Sequence, residues 1–331
     1  MKKIYKAAVI GCGRMGAEEW NYSKETQPET HAAAYKNNLK TDLVALVDID
    51  SKKLKQAGKY FSGVALFDSV KDMFEKIKPD IVSIATNPDS HAVLVKMAAK
   101  YKTSAILCEK PIAQSIKQAE EMIRICKQNK SLLFINHQRR FDPLLGRWQL
   151  EIKKGIIGKI VQANCYYYNG LFNSATHVVD LLRFFLGDID WVRGIINKET
   201  FWKENDKNVD ALIGFKNGTV VAMQTLPKNY GFSEFYFYGT KGRFAIKNLG
   251  YEIECRKLAE NKYCKGFYQL SENIKKEGSA RSLMSSVVNH IVSCLGDKAE
   301  PKSTGEDGLA ALKALFAMKE SAEKQNKIIN F

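Results

Sequence analysis

The chain has 331 residues, 45% of them hydrophobic and 26% charged, which suits two packed domains and leaves no tract too polar to fold. Its formal charge of +15 comes from lysine dispersed in pairs such as Lys52-Lys53, Lys153-Lys154 and Lys275-Lys276, which favours a lysine-rich surface or an anionic small molecule over a nucleic-acid partner. The longest apolar runs, such as residues 43–47 and 81–85, are far short of the roughly 20 residues of a membrane span, so no membrane association is expected.

The opening Met1-Lys2-Lys3 leads at once into Ile4, Tyr5 and a glycine motif, with no room for a secretory leader. Seven cysteines are odd in number and never form a CxxC pair. Together these features predict a cytoplasmic, reducing location and no structural metal.

Residues 4–136 alternate β-branched runs at 5–10, 43–47, 81–85, 105–108 and 132–135 with helical spacing at 90–100 and 115–129. Near-continuous hydrophobicity in the strands marks them as buried on both faces, so the sheet is expected to be parallel and doubly wound. After Pro143 the pattern changes to longer strands at 159–168, 191–197, 210–215, 219–225, 234–238 and 244–247, with hairpin signals at Lys216-Asn217-Gly218 and at 239–242. Helices are predicted at 175–186, ended by Gly187, and at 282–295 and 306–324. The fold class is therefore α/β: a dinucleotide-type domain over 1–136, followed over 137–331 by an α+β domain with a large, mostly antiparallel sheet and a closing helix able to pack back on the first.

The strand at 5–10 runs directly into Gly11-Cys12-Gly13-Arg14-Met15-Gly16, the GxGxxG order of a Rossmann dinucleotide fingerprint. The first glycine makes a tight turn, the second lets backbone approach a pyrophosphate, and the third lets helix and strand pack closely. Asp48 ends the second strand, where a carboxylate can accept both ribose hydroxyls; this favours NAD, while Lys52 and Lys53 keep NADP open and a cap role is the alternative for Asp48. The interval from Gly16 to Asp48 is 32 residues where roughly 20 is usual, so residues 17–30 contain an insertion, either a lid or a longer surface connection.

Three further segments bring a family into view. Ala85-Thr86-Asn87-Pro88-Asp89-Ser90-His91, Cys108-Glu109-Lys110-Pro111 and Glu306-Asp307-Gly308-Leu309 with Ala317 and Ser321 resemble motifs of the glucose-fructose oxidoreductase/inositol dehydrogenase/rhizopine catabolism (Gfo/Idh/MocA) family. The resemblance runs from residue 4 to 331. It implies a Rossmann domain and an α/β domain whose open sheet forms a homodimer or homotetramer face, with hydride transfer between NAD(P) and a secondary alcohol of a sugar, inositol or nucleotide sugar. It also implies that Thr86, Asn87, His91, Glu109, Lys110 and Asn136 join Gly11, Gly13, Arg14, Met15, Gly16 and Asp48 around the cofactor.

The family's second-domain helix begins DxGxHxxD, and here the run is Asn173-Ser174-Ala175-Thr176-His177-Val178-Val179-Asp180. His177 and Asp180 match, Asn173 and Ala175 depart, and on a helix the matching pair lies on one face. Without the resemblance, His177 reads as a helix-start cap beside a surface aspartate. With it, Lys110 becomes the cation on the reacting oxygen, His177 the base and Asp180 the supporting charge; desolvation of Lys110 would let the first two roles swap. Arg139 or Arg140 in Asn136-His137-Gln138-Arg139-Arg140-Phe141 is a candidate to reach substrate or to form an ion pair. Tyr168, with Tyr166 and Phe172, is a candidate to stack on a sugar or to fill the core. The alternative function is a non-catalytic dinucleotide-binding sensor of the same fold.

Overall fold

Six short strands from the N-terminal half form one parallel sheet in the computed structural model, which describes residues 3–18, 30–200, 203–278 and 283–331. The chain divides into two units, Met1–Phe141 with Arg281–Leu312, and Asp142–Ala280 with Lys313–Phe331. Residues 281–312 thus belong to the first unit, where a division at 136/137 would leave them in the second.

The first unit runs β1 (Tyr5–Ile10), α1 (His31–Lys36), β2 (Thr41–Val47), α2 (Ser51–Tyr60), β3 (Ala65–Phe67), α3 (Val70–Ile77), β4 (Ile81–Ile84), α4 (Pro88–Lys100), β5 (Ala105–Cys108), α5 (Ile116–Gln128) and β6 (Leu132–Ile135). The strand order is β3-β2-β1-β4-β5-β6, with every pair parallel. Helices start where the sequence supplies a cap: the side chains of Asp50, Ser69 and Ser115 accept backbone N–H groups at the starts of α2, α3 and α5. Val9, Leu46, Ile81, Leu107 and Phe134 pack in one core with Val287, Val288 and Ile291 of the helix Leu283–Leu295, which explains strands apolar on both faces.

The second unit opens with α6 (Pro143–Lys153), then β7 (Ile160–Tyr167), α7 (Thr176–Leu186), β8 (Ile189–Ile196), β9 (Val209–Phe215), β10 (Val220–Thr225), β11 (Glu234–Gly239), β12 (Gly242–Lys247), β13 (Glu252–Glu260), β14 (Tyr268–Leu270), β15 (Lys275–Gly278) and β16 (Ile329–Asn330). The sheet order is β14-β13-β12-β11-β7-β10-β9-β8-β16, with β15 also on β13; the β7–β10 pair is parallel and the rest are antiparallel. One face is buried by aromatic packing: Trp148 of α6 lies 5.2 Å from Phe244, and Phe185 of α7 lies 5.2 Å from Phe237. The opposite face carries Leu212, Val220 and Tyr238, all exposed. Among the described residues, no helix is long and apolar enough to cross a membrane.

Candidate active site

Register in the parallel sheet sets four candidate positions side by side. Gly11 N–H donates to Val47 O at 2.8 Å, Ala85 N–H to Ile10 O at 2.8 Å, Glu109 N–H to Ile84 O at 3.0 Å and Asn136 N–H to Cys108 O at 2.8 Å. Each is the residue immediately after a strand, so the glycine loop, the 85–91 turn, the Glu109-Lys110 segment and Asn136 share the carboxyl edge. Strand order reverses between β1 and β4, the position where open α/β sheets take ligands.

The glycine loop has the shape its sequence requires. Gly11 has φ +97°, and a Cβ there would stand 2.6 Å from Ala85 O; a Cβ at Gly16 would collide with Gly11 O at 1.8 Å. Gly13 differs, since a Cβ would meet nothing within 4 Å. Its backbone therefore faces open space, which fits a pyrophosphate held against main-chain N–H groups. Arg14 is exposed and Met15 half-buried.

Asp48 lies beside this loop: its Oδ2 accepts the Cys12 N–H at 2.7 Å and its Oδ1 the Asp50 N–H at 2.8 Å. Each oxygen retains a second lone pair, which fits a ribose diol. Burial, aided by the Asp48 charge, pushes the Cys12 thiol up to about 12, so Cys12 is a neutral neighbour. The α2 cap is Asp50 rather than Asp48, and Lys53 Nζ lies 3.8 Å from the Asp50 carboxylate.

The long interval before Asp48 has a simple geometry. His31 N–H donates to Met15 O and Ala32 N–H to Gly16 O, both at 2.9 Å, so α1 continues the turn begun by the glycine loop. Counting His31 as the fourth residue after Met15 removes twelve residues and leaves 20 between Gly16 and Asp48, the ordinary spacing. The insertion is spliced into the dinucleotide-binding helix; residues 19–29, on which the lid reading falls, lie outside the described residues.

Around the other end of the edge, Thr86 Oγ1 lies 2.6 Å from Ser90 Oγ, and Asn87 is exposed at the start of α4. His91 is buried, its Nδ1 3.0 Å from Pro111 O and its Nε2 3.1 Å from Thr86 O. Glu109 is buried as well, and its carboxylate is occupied by protein donors: Oε1 accepts from Asn136 Nδ2 at 2.6 Å and lies 2.9 Å from His31 Nε2, and Oε2 accepts the Lys110 N–H at 3.2 Å. Burial pushes this carboxyl up, but the bond and charge of His31, the Lys110 charge and the Asn136 bond outweigh it and hold it at about 2. Asn136 Oδ1 is buried and has no hydrogen-bond partner among the described residues, which fits an incoming amide or hydroxyl donor. Lys110 and Arg139 are half-buried, and Arg140 pairs with Asp307 at 3.1 Å.

In the second unit, a π-helical turn, Leu171–Ala175, precedes α7. Asn173 is exposed, His177 half-buried, and Asp180 buried one turn further on. Sequence reading misses Asp206, which accepts the N–H groups of Phe172 at 2.8 Å and Asn173 at 3.1 Å and so fixes the approach to α7. Burial holds its carboxyl above the usual range. Tyr168 is half-buried just past β7, whereas Tyr167 is buried with its hydroxyl donating to Val209 O at 2.9 Å. Sequence reading also misses His31, because the insertion displaces it from the glycine motif.

Residues 5–137 match the family described as "Oxidoreductase family, NAD-binding Rossmann fold", and residues 169–245 match the GFO/IDH/MocA C-terminal domain. The chain belongs to the Gfo/Idh/MocA family of oxidoreductases. Among relatives, the D-apiose dehydrogenase of Paraburkholderia graminis is 24% identical, covering 97% of this chain and 88% of its own. The inositol 2-dehydrogenase of Rhizobium meliloti is 24% identical, covering 96% and 97%. The WlbA dehydrogenase from Bordetella pertussis, solved with NADH and UDP-GlcNAcA, shares the fold at 19% identity and a TM-score of 0.78, covering 99% of both chains. As a Gfo/Idh/MocA protein the chain is an NAD-binding oxidoreductase, and Gly11 to Gly16 lie within the matched Rossmann segment.

Proposed function

We propose that the chain is a dehydrogenase or reductase that moves a hydride between NAD and a secondary alcohol or ketone of a sugar, inositol or nucleotide sugar, with NAD preferred over NADP. The observation that carries this reading is the Asp48 carboxylate, tied through the Cys12 amide to the glycine loop. A ribose diol gains two acceptors there, whereas a 2′-phosphate meets a negative charge. The substrate class is supported by relatives named for D-apiose and inositol and by a neighbour solved with a nucleotide sugar. The net charge of +15 favours an anionic member of that class.

Bound NAD supplies the hydride acceptor, which leaves a proton to be moved at the alcohol oxygen. Lys110 is assigned to donate a hydrogen bond to that oxygen and to stabilise its developing negative charge. His177 is assigned to take the proton, with Asp180, three residues on, stabilising the imidazolium. Asn173 offers a neutral carbonyl where the family pattern has a carboxylate. Arg139 and Tyr168 are assigned to the rest of the substrate.

The test incubates the purified protein with NAD or NADP and a panel of sugars, sugar acids and nucleotide sugars, following absorbance at the NADH band. Turnover with at least one member, faster with NAD, is the expected result. NAD binding without turnover across the panel would support the sensor of the same fold instead.

A further inference from the structure

Lys110 stands between two residues that buried histidines hold. Before it, the Glu109 carboxylate lies 2.9 Å from His31 Nε2; after it, the Pro111 carbonyl lies 3.0 Å from His91 Nδ1. The two histidines come from different elements, His31 from the start of α1 and His91 from α4, and neither reaches solvent.

The hydrogen bonds around His31 have a direction. Ionised Glu109 only accepts, so His31 Nε2 carries the hydrogen. Its Nδ1 lies 2.9 Å from Ser83 Oγ, which in turn lies 2.8 Å from Tyr35 OH. Tyr35, Ser83 and His31 thus form one buried chain of polar contacts that ends on Glu109. The groups facing this carboxylate are His31 from α1, Asn136 following β6, and Lys110 itself. A buried carboxylate kept ionised by three donors is expensive unless each is in place. The same carboxylate accepts the Lys110 N–H at 3.2 Å, so what fixes Glu109 also fixes the backbone that carries the Lys110 side chain.

We propose that His31, acting through Glu109, is a positioning residue that fixes Lys110, with His91 Nδ1 holding the other side at the Pro111 carbonyl. This rests on the role assigned to Lys110 above, but its first two readouts need no turnover. In the full chain, nitrogen NMR of the His31 ring is expected to show hydrogen on Nε2. With carbon-labelled lysine and the Lys110 signal assigned by Lys110→Arg, that signal is expected to move in His31→Ala as well as in Glu109→Gln. Hydrogen on Nδ1 alone, or an unmoved Lys110 signal in a folded His31→Ala, overturns the proposal whatever the activity. In kinetics, His31→Ala is expected to lower kcat roughly 10- to 100-fold, as misplacement of a reacting group does, with NAD affinity little changed. His31→Gln, whose amide can replace the Nε2 donor, is expected to recover part of that loss. An undiminished kcat in His31→Ala overturns positioning, provided Lys110→Ala is itself impaired; if Lys110→Ala is fully active, it is the assigned role of Lys110 that fails.

Discussion

The carboxylate of Asp48 accepts the backbone N–H of Cys12 at 2.7 Å, which joins the end of β2 to the middle of the glycine loop. Loss of that carboxylate removes the loop anchor for either dinucleotide, but removes ribose acceptors only for NAD. Asp48→Ala is therefore expected to weaken NAD by roughly 10- to 100-fold, corresponding to lost charged hydrogen bonds of about 1.5–3 kcal/mol, and to weaken NADP much less. Calorimetric titration of both cofactors checks this, and equal losses count against the assignment of Asp48 to the ribose.

Glu109 makes stability depend on acid. Its carboxyl is held at about 2 in the folded chain against 4.5 for an ordinary glutamate. A depressed carboxylate contributes stability that is fully present above the unfolded value and is lost as pH falls through the folded one. Urea unfolding should show the gap between native chain and Glu109→Ala to be constant above about pH 5 and to shrink steadily between about pH 4.5 and 2. At neutral pH the gap is expected to be roughly 3–5 kcal/mol, the cost of breaking a buried pair. A gap that does not change between pH 5 and 2 would contradict an ionised Glu109.

Asp206 gathers the N–H groups of Phe172 and Asn173, which enter the turn before α7. Asp206→Ala strands those donors and is expected to cost about 1–3 kcal/mol in stability. Asp206→Asn keeps one acceptor and should cost less. The pair of unfolding curves tests whether this carboxylate is what fixes the approach to His177.

Legibility followed burial. The strands at 5–10, 105–108 and 132–135 coincide with β1, β5 and β6, because strands covered on both faces have near-continuous apolar sequence. The three-residue β3, Ala65-Leu66-Phe67, lies at the sheet edge with Leu66 exposed, and so short an apolar run does not mark a strand by itself. Pro143 reads as the end of a pattern, yet it is the first residue of α6, where a missing N–H costs nothing and Asp142 caps the start. The charged β13 lies toward the edge of the second sheet and carries too little alternation to show. At the site, the glycine loop and Asp48 are local motifs and could be read directly. His31 and Asp206 act across 78 and 34 residues of chain, and such partners leave no local signal.

The outer face of the second sheet yields a prediction about assembly. Tyr236 and Tyr238 lie on the face of β11 opposite Phe237, which is buried in the core. Tyr238, Leu212 and Val220 leave apolar surface exposed on the outer face, and an apolar sheet face favours a partner. Light scattering at micromolar concentration is expected to give a multiple of 37.4 kDa, and Leu212→Glu with Val220→Glu to lower it toward one chain. A monomeric native chain would remove the sheet from this role.

The chemistry predicted for Lys110 and His177 follows from what hydride transfer demands of the alcohol: as the hydride departs, the hydroxyl proton must leave and its oxygen gains negative charge. General acid-base groups contribute roughly 10²- to 10⁴-fold, so Lys110→Ala and His177→Ala are each expected to lower kcat by at least about 100-fold while NAD still binds. Asp180 is buried one turn beyond His177, and its loss removes the charge assigned to the imidazolium. Asp180→Asn should therefore lower kcat and leave NAD affinity unchanged. At position 173 the neutral amide offers a weaker hydrogen bond than a carboxylate would. Asn173→Asp is expected to raise kcat if His177 is the base, and to restore part of what Asp180→Asn loses if both positions act on the same imidazolium. Retention of more than about a tenth of the native rate by Lys110→Ala or His177→Ala would remove that residue from the mechanism.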